Sequence, residues 1–169
     1  MQPSPIIAFM LGEQPDSQGR WISDIWQLSP FWREFKHDYI QWLFPLERRE
    51  RYEGHKPILS LDDQAFAKTS LLLQENQRKS LDMMCQHWGL VRAGLAFSVV
   101  ENLSKREHRW IKPYDHNQLR ITRAIRSLAL CGQKELALAL QQAVLQIGPV
   151  YGNVDQKAID HWQRALDDL

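Results

Sequence analysis

Residues 30–45 read Pro30-Phe31-Trp32-Arg33-Glu34-Phe35-Lys36-His37-Asp38-Tyr39-Ile40-Gln41-Trp42-Leu43-Phe44-Pro45, and their spacing points to the class of fold. Pro30 suits the first turn of a helix, where its missing N–H is not needed, and Ser29 before it offers a capping hydroxyl. Trp32, Phe35, Tyr39, Trp42 and Leu43 recur at helical spacing and make one apolar stripe, with Glu34, His37, Asp38 and Gln41 on the opposite side. Pro45 cannot continue a helix and disfavours helical backbone at Phe44. The stretch predicts one amphipathic helix from Pro30 to about Phe44, with its stripe in the core.

Working outward, Trp21, Ile22, Ile25 and Trp26 form the apolar side of a short preceding helix. Residues 1–19 are rich in Pro and Gly. They read as loop, with a short extended piece at Ile6–Leu11 and a turn at Asp16-Ser17-Gln18-Gly19. Residues 45–60 read as loop, and the alternating charges of Glu47-Arg48-Arg49-Glu50-Arg51 suit a solvated face. A long helix is expected from the cap at Ser60 to about His87, stopped by Gly89. Another is expected over 91–104, then a connector broken by Pro113. Asp115 caps a helix over 116–131 whose buried face carries Ile121, Ile125 and Leu128 and which Gly132 closes. Glu135–Ile147 continues the pattern up to Gly148-Pro149, and Asp155 caps a last helix bearing Ile159, Trp162 and Leu166. No strand alternation is evident, so the expectation is an all-α bundle of about seven helices, one domain over 1–169.

Charge and composition narrow the class. The chain has 169 residues, with 21 basic against 20 acidic side chains. That balance argues against a nucleic-acid backbone as main partner. Cys85 and Cys131 are too few for a disulfide scaffold and have no ligand-spaced neighbours, so they read as thiols in a reducing compartment. No secretory signal and no apolar run long enough to span a bilayer is seen, and an intracellular, cytoplasmic protein is expected.

The candidate chemistry lies on two predicted helices. His116, Arg120, Arg123 and Ser127 share a stripe, and Arg120 with Arg123 can grip a carboxylate or phosphate through forked hydrogen bonds. One reading is structural: Asp38 or Glu34 pairs with Arg120 or Arg123 and locks two helices together. The other is a groove for a zwitterionic short peptide, with Asp38 for its amino end, Arg120 or Arg123 for its carboxylate, and Trp42 or Trp26 as walls, His37 and Gln41 lying alongside. Arg20 with Asp16 reads as a loop clasp. His37-Asp38 resembles the metal doublet of HD-type phosphohydrolases, but no earlier His exists to complete it. Glu-x-x-His occurs once, at Glu34–His37, where a di-iron bundle needs two. No metal, no cofactor and no catalytic constellation is assigned.

Three segments carry a resemblance to a known family: Gly12, Pro15-Asp16 and Gly19-Arg20; the run His37–Pro45; and Asn117 with Leu119–Arg123, followed by Ser127-Leu128 and Gly132. Together they resemble the conserved N-terminal region of the opioid growth factor receptor family, over roughly residues 6–150. The resemblance implies a binding module rather than a seven-helix membrane receptor. Animal members are described as receptors for methionine enkephalin that act at the nucleus as negative regulators of growth, and they carry further C-terminal sequence. The function expected is recognition of a short peptide or protein segment. The alternative is an enzyme acting on an anionic small molecule through Arg120 and Arg123.

Overall fold

The computed structural model describes residues 2–49, 54 and 56–169. The chain is mostly helical, with one small antiparallel hairpin. Glu50 and Arg51 of the alternating-charge loop lie outside the described residues.

The first helix, α1 (Pro5–Met10), stands where an extended piece is expected. Ser4-Pro5 is the same entry signature as Ser29-Pro30, and every residue from Ile6 to Met10 is buried. Ser4 Oγ also donates to Asp63 Oδ1 at 2.7 Å, tying this end to a later helix. The turn at 16–19 forms as read. Asp16 Oδ1 accepts from the Gln18 and Arg20 amides at 2.9 Å each, and Gly19 takes a left-handed φ of 76°. Next come α2 (Ile22–Trp26) and α3 (Pro30–Phe35).

The predicted helix from Pro30 to Phe44 is two helices. The chain turns extended at Lys36 (φ −84°, ψ 135°) and resumes as α4 (Ile40–Leu43). The break splits the apolar stripe. Tyr39, Trp42 and Leu43 enter the core, while Phe31, Trp32 and Phe35 face solvent and Glu34 is buried.

The long helix expected from Ser60 also divides. Ser60 and Asp63 make a reciprocal capping box for α5 (Leu61–Thr69). Ser70 then leaves helical geometry and caps α6 (Leu71–Trp88), which ends as predicted on left-handed Gly89.

The helix expected over 91–104 is a hairpin, and this corrects the all-α expectation. β1 (Leu90–Ala93) pairs with β2 (Ala96–Val99), Leu90 opposite Val99 and Ala93 opposite Ala96. The two-residue connection is Gly94-Leu95, with Gly94 at φ 61°, and glycine is what such tight hairpin turns require. Arg92 fastens the hairpin to α6, its Nε and Nη2 donating to the two Asp82 oxygens at 2.6 and 3.0 Å.

After a short 3₁₀ turn (Arg109–Ile111), α7 (His116–Leu130) starts on Asp115 as predicted. The next helix, α8 (Lys134–Tyr151), does not end at Gly148-Pro149. Pro149 falls in its last turn and leaves one carbonyl of the preceding turn without its helical donor, yet the helix runs on, the Gly152 amide donating to the Gly148 carbonyl at 3.0 Å. Asp155 caps α9 (Gln156–Arg164), accepting from the Ala158 amide at 3.0 Å.

The core is one cluster of buried side chains that takes in residues of every described helix except α3 and closes around α7. Trp110 and Trp162 meet edge-to-face at 5.8 Å and pin the 3₁₀ turn and α9 to it. Each fully buried Leu or Ile contributes about 1.5–3 kcal/mol. No helix among the described residues is long and apolar enough to cross a membrane.

Candidate functional site

Arg120 reaches out of α7 to the end of α3. Its Nη1 donates to the Arg33 carbonyl at 2.7 Å and its Nη2 to the Lys36 carbonyl at 2.7 Å. Its Nη1 also meets Asn117 Oδ1 at 3.2 Å. The last carbonyls of a helix have no intrahelical partner, and a buried guanidinium supplies donors for them here. Arg120 is only 5 % exposed. Arg123, also buried, donates to the Phe44 carbonyl at 3.3 Å.

The other predicted site residues scatter. Asp38 pairs with Arg20 at 2.9 Å, and Arg20 also holds Asp16, so the expected loop clasp extends to a third residue. Burial works against ionising Asp38, but the Arg20 hydrogen bond and charge outweigh it and hold the carboxyl below its ordinary range. Trp42 is buried edge-on to Phe9 at 5.2 Å. Trp26 is half-buried beside α6, its Nε1 donating to Ser80 Oγ at 2.9 Å. The Gln41 side-chain oxygen is buried without a hydrogen bond among the described residues. His37 and Arg120 do meet, with Nδ1 and Nη2 3.5 Å apart. Partial burial, then the charges of Arg120 and His116, hold His37 below the ordinary imidazole value. Among the described residues neither Asp38 nor Glu34 pairs with Arg120 through its carboxylate, and Arg120 and Arg123 both donate to main-chain carbonyls of the α3–α4 segment.

A different cluster converges on Glu34. Its Oε2 lies 2.6 Å from His87 Nε2 and accepts from Asn117 Nδ2 at 3.0 Å. Its Oε1 lies 3.2 Å from His116 Nε2 and 3.5 Å from Arg109 Nη1. Burial disfavours the charged carboxylate, yet the hydrogen bonds from Asn117 and His87 with the nearby imidazoles overcome this and lower its pKa. Burial likewise holds His87 below its ordinary value, although the Glu34 contact pulls upward. The pair is an ionised carboxylate accepting from a neutral imidazole. The His37 and His116 rings stand edge-on 5.1 Å apart at the rim.

Sequence reasoning missed this cluster because Glu34 sits on the predicted solvent side of a helix that does not continue. The available signal was Asn117, which belongs to the segment carrying the resemblance and here holds both Glu34 and Asp115.

Beside the cluster, a cleft of about 440 Å³ opens between the start of α7 and α9. Arg109, Tyr114, His116 and Leu119 line one side; Asp155 and Lys157 line the other. A second, shallower depression of about 560 Å³ lies between α6, the hairpin turn and the α7–α8 turn. Its arginines are engaged, Arg78 with Gln133 at 2.8 Å and Arg92 with Asp82.

This helical domain, whose Arg120 clamp and Glu34 cluster draw on the end of α3, on α6 and on the start of α7, belongs to the opioid growth factor receptor family. The profile described as the opioid growth factor receptor conserved region matches residues 18–168. The chain is 30 % identical to the mouse opioid growth factor receptor over 139 residues, 79 % of this chain and 22 % of that receptor. The human receptor is 28 % identical over 138 residues, 79 % of this chain and 20 % of its own length. The rat opioid growth factor receptor-like protein 1 is 28 % identical over 142 residues, covering 80 % of this chain and 30 % of that protein. The chain thus spans about a fifth to a quarter of the curated receptors it matches. No solved structure matches it.

Proposed function

We propose that this chain is a binding domain and that it takes a short peptide or protein segment in the cleft between α9 and the start of α7. The observation that carries this reading is the mixture of groups at that cleft. A zwitterionic peptide needs a cation for its carboxylate, a carboxylate for its amine, and apolar walls. Arg109 and Lys157 supply the first and Asp155 the second. Tyr114 and Leu119 supply the third, Tyr114 standing 78 % exposed. A volume of about 440 Å³ falls within the range of small-ligand sites. The names of the relatives, receptors for an opioid growth factor, are in keeping with a peptide ligand. Arg120, Arg123 and Trp42 then act as framework. Their burial favours a binding role over an enzyme that would need both arginines on its substrate. We place the activity inside the cell, a reading supported by Cys85 and Cys131, buried free thiols that burial pushes up to about 12.

Methionine enkephalin and a tiled set of unrelated pentapeptides, titrated into ¹⁵N-labelled protein, test the reading. Saturable shifts at residues 109–119 and 155–161, weakened at least tenfold in Tyr114→Ala with Lys157→Ala, are expected. If no peptide shifts those amides at millimolar concentration, the cleft is not a peptide site.

A further inference from the structure

We propose that Glu34, Asp115 and His116 form a zinc site at the inner wall of the cleft, independent of whether a peptide binds there. One ligand atom from each of the three lies within 4.8 Å of the other two. Glu34 Oε1 and His116 Nε2 are already 3.2 Å apart. Tetrahedral zinc with bonds of about 2.0–2.2 Å holds its ligands about 3.4 Å from one another, so closing the site takes about an ångström of side-chain movement.

The hydrogen bonds leave one atom of each residue for the ion. Glu34 Oε2 is held by His87 and Asn117, and Asp115 Oδ1 by the Asn117 amide and side chain at 2.9 and 2.8 Å. These are the bonds to the distal oxygens that orient metal-binding carboxylates. The opposite oxygens, Glu34 Oε1 and Asp115 Oδ2, are met by Arg109 at 3.5 Å each, beyond good hydrogen-bond length. Asn117 Nδ2 also approaches Glu34 Oε1, at 3.4 Å.

The independent sign is His116. Its side chain is 38 % exposed, but Nε2 itself is buried and faces Glu34 Oε1 at 3.2 Å without hydrogen-bond geometry. A metal bond would replace this poorly directed contact with a directed one. The Asp115 side chain is 2 % exposed and that of Glu34 11 %, so these carboxylates are not a solvated acidic patch. Arg109 now balances their charge. Its side chain is 45 % exposed and lines the cleft, so it can swing outward when a dication arrives. Two carboxylates with an imidazole suit zinc better than calcium or magnesium, which prefer all-oxygen shells. Three protein ligands leave a fourth position facing the cleft.

Chelator-stripped protein, titrated with zinc chloride by calorimetry and assayed for metal after gel filtration, is expected to retain one zinc per chain. Asp115→Asn keeps the helix cap and His116→Ala keeps the helix, and each is expected to weaken zinc binding at least tenfold. No retained zinc, or zinc retained undiminished in both variants, would overturn the proposal. Anomalous scattering at the zinc edge from crystals of the unaltered protein provides a second arm that needs no variant to fold. A peak between Glu34, Asp115 and His116 supports the site, and a peak elsewhere or none rejects it.

Discussion

Arg120 Nη2 donates to the Lys36 carbonyl at 2.7 Å, and this bond spans the break between α3 and α4. The same guanidinium holds the Arg33 carbonyl, which also accepts from Tyr39 Oη at 2.6 Å. Helix α3 therefore ends where α7 can reach it. Hydrogen bonds to a charged group contribute about 1.5–3 kcal/mol each, so Arg120→Ala should destabilise the fold by about 3 kcal/mol or more. Arg120→Lys, which offers no planar fork, should fall between. Urea denaturation of the three proteins measures this, and equal midpoints would contradict the clamp.

The pair Glu34 and His87 makes stability depend on pH. Both groups have folded-state pKa values below their ordinary ones. For each, the unfolded chain binds more protons as pH falls, so stability is greatest when both are deprotonated and declines on acidification. For His87 the loss begins below 6.5, its unperturbed value, and for Glu34 below the ordinary carboxylate range. His37 and His108 act in the same direction. The melting temperature should drop between about pH 7.5 and 5, and His87→Gln should make that drop shallower. Melts of the two proteins across this range check the sign.

Two buried tryptophans differ in what their indole N–H does. Trp110 Nε1 donates to the Trp88 carbonyl at 2.7 Å. Trp42 Nε1 is buried with no hydrogen bond among the described residues. Trp110→Phe loses a bond and strands a carbonyl, whereas Trp42→Phe removes an unsatisfied donor. Trp42→Phe should cost about 1–2 kcal/mol less than Trp110→Phe, measured by chemical denaturation.

The aromatic face of α3 is not core. Phe31 and Phe35 are each 58 % exposed and Trp32 is 48 % exposed, with Lys36 Nζ 4.9 Å from the Trp32 ring centre. Trp32→Ser with Phe35→Ser should change stability by no more than about 1 kcal/mol, an amount suited to a surface cation–π contact. A larger loss in a thermal or urea melt would mean that this face is covered in solution.

Several local signals were legible in the sequence, though the caps at Ser4 and Ser70 were not. Ser29-Pro30, Ser60, Asp115 and Asp155 each begin a helix, and Gly89 ends one, because capping is a contact among neighbours along the chain. The hairpin was readable from Gly94-Leu95 between short runs carrying Val91, Phe97 and Val99, but too few residues alternate for the pattern to stand out. Of the site, the Arg20–Asp16 clasp was visible, since both ends lie in one turn.

The order of residues along the chain is enough to specify a mostly helical member of the opioid growth factor receptor family, with most of its caps and its apolar residues. Where α3 stops, and which polar groups meet, depends on contacts between segments far apart in the chain. Arg120 sets the end of α3 from 84 residues further along the chain, and Glu34 draws His87, His116 and Asn117 from two later helices. Periodicity assumes that a helix continues until a local breaker stops it. Here the breaks come from carbonyls and carboxylates whose desolvation is compensated across the fold, and a free energy between distant residues leaves no mark in their spacing.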